Sequence, residues 1–158
     1  MYSIKQPNFI IFGKNSVDEF NFPQNSLIIT SKGAKSRGWL EHFKLKDFYV
    51  FDKTEPNPSS ETIDKIISDF SNSNFSHIIG MGGGSSLDVA KFVAFKLKES
   101  KILIPTTFGS GSEVTRISVL KVNGKKQSFH DDMLFADVAI IDPQFLDNSS
   151  QDIIKNSV

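Results

Sequence analysis

Along the chain, compact apolar runs alternate with segments whose apolar residues recur at helical spacing. Ser26–Thr30 (SLIIT), Asp47–Phe51 (DFYVF), Ser76–Gly80 (SHIIG), Lys101–Pro105 (KILIP) and Val138–Asp142 (VAIID) are short and rich in branched residues. Such runs predict strands buried on both faces. Between the second and third lies ETIDKIISDF, where Ile63, Ile66, Ile67 and Phe70 share one face of an amphipathic helix. SLDVAKFVAFKL repeats the pattern with Leu87, Ala90, Val93, Ala94 and Leu97. Strand and helix in alternation predict an α/β fold with a parallel sheet. Two segments break the rhythm. Asn123-Gly124 between extended runs is a hairpin signal, placing a β-hairpin near residues 117–129. Pro7–Ser16 (PNFIIFGKNS) predicts one further extended piece at a sheet edge.

Composition narrows the function classes. At 158 residues the chain is long enough for one domain with a proper core. Eighteen basic residues balance eighteen acidic ones, so the charge favours no nucleic-acid partner. Cysteine is absent, which removes disulfides, thiolate nucleophiles and cysteine zinc sites and fits a cytoplasmic enzyme. The opening residues lack the basic-then-apolar pattern of a secretory leader. No apolar stretch reaches the ~20 residues that span a bilayer, so no membrane partner is expected.

The candidate chemistry starts at GMGGGSSLDVAK, Gly80–Lys91. Glycine is costly to order, so a cluster implies an awkward turn or a close approach to the backbone. The cluster follows a strand and precedes a helix. Ser85 as N-cap, with Asp88 completing a capping box, predicts a helix that begins at Ser86. The amides of Gly83, Gly84, Ser85 and Ser86 would then surround its positive end, where a pyrophosphate binds without a cationic side chain. Gly80 and Gly82 would shape the exit from the strand, and Asp88 would be a cap and not a catalyst. The run is not the G-x-G-x-x-G fingerprint, since Ser85 stands at the last glycine position and the preceding strand is about the third.

A second loop, Ile104–Thr115 (IPTTFGSGSEVT), crowds hydroxyls and glycines after the next strand. Hydroxyls and free amides suit ribose and phosphate oxygens, although a polar surface loop has the same composition. Two such loops on neighbouring parallel strands would share the carboxyl edge of the sheet, where ligands of open α/β sheets bind.

GGGSSLDVAK, IPTTFGSGSEVT and AIIDPQFL together resemble the iron-containing (group III) alcohol dehydrogenase family, with FGKNSVDEF, ITSKGAKSRG and EPNPSSETI extending the likeness over nearly the whole chain. The resemblance implies a Rossmann-like N-terminal domain of the dehydroquinate synthase-like class that binds NAD(P). It also implies an all-helical second domain holding iron or zinc on one aspartate and three histidines, where an alcohol or aldehyde substrate is polarised. Gly82, Gly83, Gly84 and Ser85 match the pyrophosphate loop; Thr106, Thr107 and Ser110 match the second cofactor loop, with Thr115 nearby. Asn57 matches the family's Asn-Pro element beside the cofactor. Lys126 matches a lysine on the nicotinamide-side ribose, its alternative being a solvated hairpin lysine.

Where NAD-preferring members carry an aspartate, this chain has Ser31, with Lys32, Lys35 and Arg37 close by. That leans towards NADP, against the alternative of ordinary surface cations. His42, His77 and His130 have no ligand spacing, so neither a metal ligand nor a catalytic residue is expected in this chain. The segment after Asp142-Pro143 reads as a helix that begins and stops. The expected division is therefore a dinucleotide-binding domain over 1–146 and the start of a linker or helix over 147–158. The resemblance further implies a homodimer through the N-terminal edge. The alternative function is a non-redox nucleotide- or phosphosugar-binding module.

Overall fold

A computed structural model of the chain describes residues 1–147, so the expected linker or helix over 147–158 lies, but for Asp147, outside the described residues. From the N-terminus come β1 (Phe9–Phe12), α1 (Ser16–Glu19), β2 (Ser26–Ile29), α2 (Lys32–Ser36), a 3-10 turn (Trp39–Phe43) and β3 (Phe48–Phe51). Then follow α3 (Ser60–Asp69), β4 (His77–Gly82), α4 (Gly84–Leu97), β5 (Ser100–Pro105) and a 3-10 turn (Ser112–Val114). The remainder is β6 (Ile117–Val122), β7 (Lys125–His130), a 3-10 turn (Asp132–Leu134), β8 (Val138–Ile141) and α5 (Gln144–Asp147).

Six strands form one parallel sheet in the order β1-β8-β5-β4-β2-β3. The inner strands read as unbroken apolar runs because each is covered on both faces. Leu27, Ile29, Ile78 and Leu103 face one layer, built from α3, α4 and the hairpin. Ile28, Ile79, Met81, Ile102, Ile104 and Ile140 face the other, where α1, α2, the Trp39–Phe43 turn and α5 supply Val17, Ala34, Trp39 and Phe145. The period of two along each strand thus divides one apolar run between two cores.

β6 and β7 pair antiparallel, closed by Asn123 at φ 50 and Gly124 at φ 76. Two positive φ values in a two-residue loop are the turn whose twist suits a hairpin. The hairpin lies on α4, so that helix is sandwiched and apolar almost all round: Leu87, Val89, Ala90, Phe92, Val93 and Ala94 are all buried. α3 has one covered side only and keeps a polar face. Its N-cap is Ser59, whose hydroxyl accepts from Thr62 N at 3.3 Å.

The chain leaves β2 outward to β3 and returns past it to β4. The direction of winding therefore reverses between β2 and β4, opening a crevice at their carboxyl ends. Among the described residues no helix is long and apolar enough to cross a membrane.

Candidate functional site

The glycine run lies at the carboxyl end of β4, beside that crevice. Gly82 takes φ 148, and a Cβ there would come within 2.7 Å of Ser86 Oγ. Gly83 is the N-cap, extended at φ −75 and ψ 179, and α4 starts at Gly84. The helix therefore begins two residues before the expected Ser86, and Ser85 is inside it. Ser85 does not cap; its Oγ accepts from Asn57 N at 3.3 Å and ties down the Asn57-Pro58 loop. The first helical bond runs from Leu87 N to Gly83 O at 3.2 Å, so the amides of Gly84, Ser85 and Ser86 precede the ladder. The earlier start leaves the anion-binding argument intact and moves it by a fraction of a turn.

Gly80 has a different reason from the one expected. A Cβ there would stand 2.6 Å from Ala90 Cβ and 2.9 Å from Leu103 Cδ2, so its absence lets α4 settle onto the sheet. Asp88 is likewise not a cap. Its Oδ1 accepts from Ser112 Oγ at 2.6 Å and its Oδ2 from Val119 N at 3.1 Å.

The second loop comes directly against the glycine turn. Thr106 N donates to Gly82 O at 2.9 Å. A Cβ on Gly83 would be 3.2 Å from Thr107 Oγ1, and one on Gly84 would be 3.1 Å from Ser110 Cβ. Glycine at both positions is what allows this approach. A pocket of about 230 Å³ opens where Asn57, Gly84, Ser85 and Lys126 meet. Thr107 lines another of about 300 Å³ with Phe108 and Glu113. Thr115 is not brought to this group; it lines a pocket of about 510 Å³ with Lys5 and Arg116. That larger space is walled by the exposed chain start and offers no amide cluster; both its cations pair with Asp132.

One functional-looking residue escapes the motif reading. Lys91 is fully buried, with Nζ donating to the carbonyl oxygens of Ser112 (2.9 Å) and Ile117 and lying 3.3 Å from Asp88 Oδ1. Burial pushes its ammonium below the ordinary lysine value, opposed by the Asp88 carboxylate. The signal was available: Lys91 is four residues after Leu87, on the apolar stripe of α4.

The sequence profile described as iron-containing alcohol dehydrogenase matches residues 7–143. The chain belongs to the iron-containing alcohol dehydrogenase family. It is 40% identical over 117 residues to long-chain-alcohol dehydrogenase 1 of Geobacillus thermodenitrificans, covering 61% of this chain and 30% of that protein. The sulfoacetaldehyde reductase of Bifidobacterium kashiwanohense, solved in complex with NAD+, superposes with a TM-score of 0.85 at 26% identity, over 97% of this chain and 49% of the other. A 1,3-propanediol oxidoreductase shares the fold with a TM-score of 0.91 at 22% identity, over 99% of this chain and 50% of that one. The chain thus spans about half the length of these family structures, matching their N-terminal α/β domain.

Within the family frame, Ser31 stands where β2 runs into α2, as an extended N-cap whose side chain makes no capping bond. Of the three cations near it, two are engaged. Lys35 Nζ lies 2.9 Å from Asp52 Oδ2, and Arg37 stacks 5.0 Å from the Trp39 ring centroid. Lys32 makes no ion pair among the described residues.

The family's metal set does not fit the described residues, where no group of three histidines, aspartates or glutamates could hold an ion. His42 Nδ1 is 2.9 Å from Asp18 Oδ1, His77 Nδ1 is 2.9 Å from Ser76 Oγ, and His130 is exposed on β7. The three lie on separate elements.

Proposed function

We propose that the chain is the cofactor-binding half of a metal-dependent NAD(P) alcohol dehydrogenase or aldehyde reductase. The carrying observation is the apposition of the α4 N-terminus with the second loop at the carboxyl edge of the sheet, spaced by glycines. The amides of Gly83, Gly84 and Ser85, with Gly82 clearing the approach, take the pyrophosphate at the positive end of a 14-residue helix. Asn57 and Lys126 flank the same pocket and take the sugar edge. Thr106, Thr107 and Ser110 present hydroxyls towards the nicotinamide side, and Thr115 drops out of the set. The bound nicotinamide supplies or accepts the hydride. This chain's residues bind and orient it; no catalytic residue is assigned among them, and the metal belongs to residues outside those described.

Ser31 brings no carboxylate against a 2′-phosphate, and Lys32, which has no ion pair among the described residues, is placed to meet it, so the preference leans to NADP. The substrate is a small alcohol or aldehyde. The cysteine-free composition supports a cytoplasmic setting. The domain occupies residues 1–146, and the exposed β1 edge serves a homodimer.

Titration by nicotinamide fluorescence tests the reading. NADPH and NADH are expected to bind the 158-residue chain without alcohol turnover. Binding of sugar phosphates alone would replace this reading with a non-redox phosphosugar module.

A further inference from the structure

Lys91, fully buried, and Asp88, partly exposed on the wall of the Asn57–Lys126 pocket, form a charged pair that the pyrophosphate argument does not use. Both lie in the first turns of α4, yet every partner outside the pair belongs to another segment. Lys91 Nζ donates to the Ser112 and Ile117 carbonyls. The Asp88 carboxylate accepts from Ser112 Oγ and Val119 N, and its backbone carbonyl accepts from Ser118 Oγ at 2.9 Å. One pair on the glycine helix therefore grips the end of the second loop and the start of the hairpin that carries Lys126. The grip reaches the site itself. Ser112 N donates to Ser110 Oγ at 3.4 Å, and Ser110 is the residue whose Cβ lies against Gly84.

We infer that Asp88 and Lys91 are positioning residues that set the nicotinamide-side loop and hairpin at a fixed distance from the pyrophosphate turn. This rests on the dinucleotide reading above. The chemistry suits the task. A charged pair imposes directional bonds on the Ser112 turn and on the β6 backbone at Ile117 and Val119, whereas apolar packing would accept several positions of turn and hairpin. Part of its contribution is stability, since the pair satisfies the Ser112 and Ile117 carbonyls and the Val119 amide; a difference between two ligands isolates the positioning share. A ligand confined to the glycine turn needs no help from the pair; one that bridges turn, loop and hairpin does.

The experiment compares ADP with NAD(P)H in the double variant Asp88→Leu/Lys91→Met of the full chain. NAD(P)H affinity is expected to fall about tenfold while ADP affinity changes less than about twofold, in a variant that still unfolds cooperatively, at a lower melting midpoint. Equal weakening of both ligands, or no weakening of NAD(P)H, overturns the inference. Should the double variant not fold, Ser112→Ala removes only the loop hydroxyl and is held to the same split between ligands. A wild-type chain that binds neither nucleotide overturns the proposed function instead. Amide hydrogen exchange in the ligand-free chain then decides the positioning role. Faster exchange in Ser112→Ala confined to residues 106–122 supports it; an unchanged pattern overturns it.

Discussion

Two glycines of one run separate fold from site. Gly80 has lost its Cβ to the packing of α4 on β5, and Gly84 has lost its own to the approach of Ser110. Gly80→Ala forces a methyl into a closed core and is expected to destabilise by about 1–3 kcal/mol, read by urea denaturation. Gly84→Ala meets only a loop side chain and lies over the helix amides. It is expected to keep the denaturation midpoint and to lose dinucleotide affinity; normal binding would remove the pyrophosphate from this turn. Sequence pattern divided the glycines between strand exit and anion turn but misassigned Gly80, because its duty depends on Ala90 and Leu103, which only the fold brings alongside. Ser31 is the other residue with a separable effect. Ser31→Asp places a carboxylate at the end of β2 and is expected to shift preference towards NADH. An unchanged NADPH/NADH affinity ratio would take Ser31 out of the site.

At the scale of elements, helix and strand identity were readable from periodicity, and ends were not. The S-x-x-D pattern at Ser85 and Asp88 suggested a capping box, yet the tertiary partners Asn57, Ser112 and Val119 claim those side chains. Local hydrogen bonding loses to long-range bonding wherever a helix end is covered by another segment. The hairpin turn behaved oppositely, since positive φ at Asn123 and Gly124 is a local requirement that a dipeptide can meet. Short elements are joined by side chains instead. Gln144 Nε2 donates to Asp18 Oδ2 at 2.9 Å and to Asp142 Oδ2 at 2.7 Å, while His42 meets Asp18 Oδ1, linking α1, α5, β8 and the Trp39–Phe43 turn. The Gln144 bond, helped by His42, holds the Asp18 carboxyl below its ordinary 3.8. A lowered folded value means stabilisation present above 3.8 and lost as pH falls through the folded value. Asp18→Asn is therefore expected to destabilise at neutral pH by a margin that narrows in acid. A margin constant across the acid limb would show that the carboxylate charge is not what binds these elements.

For the whole molecule, the open sheet has unequal edges. β1 exposes Phe9 (68%), Ile10 (43%) and Phe12 (74%) beside a strand edge that pairs with nothing further among the described residues. Bare apolar edges invite a further strand, and a second copy would bury these side chains symmetrically. Sedimentation velocity is expected to find a dimer that the Phe9→Lys/Phe12→Lys variant abolishes; a wild-type monomer would leave the edge without this role. Alternating runs such as SLIIT and ETIDKIISDF determined the α/β class and the parallel sheet, and the two glycine- and hydroxyl-rich loops marked the turns where the cofactor site is proposed. They could do so because burial on both faces, helical amphipathicity and positive-φ turns are properties of neighbouring residues. Only the tertiary structure decided that Lys91 is buried, that Thr115 and Thr107 line different pockets, and that Lys35 and Arg37 are already engaged. Each depends on which segment the sheet order brings alongside, and that pairing is settled by packing over the whole chain.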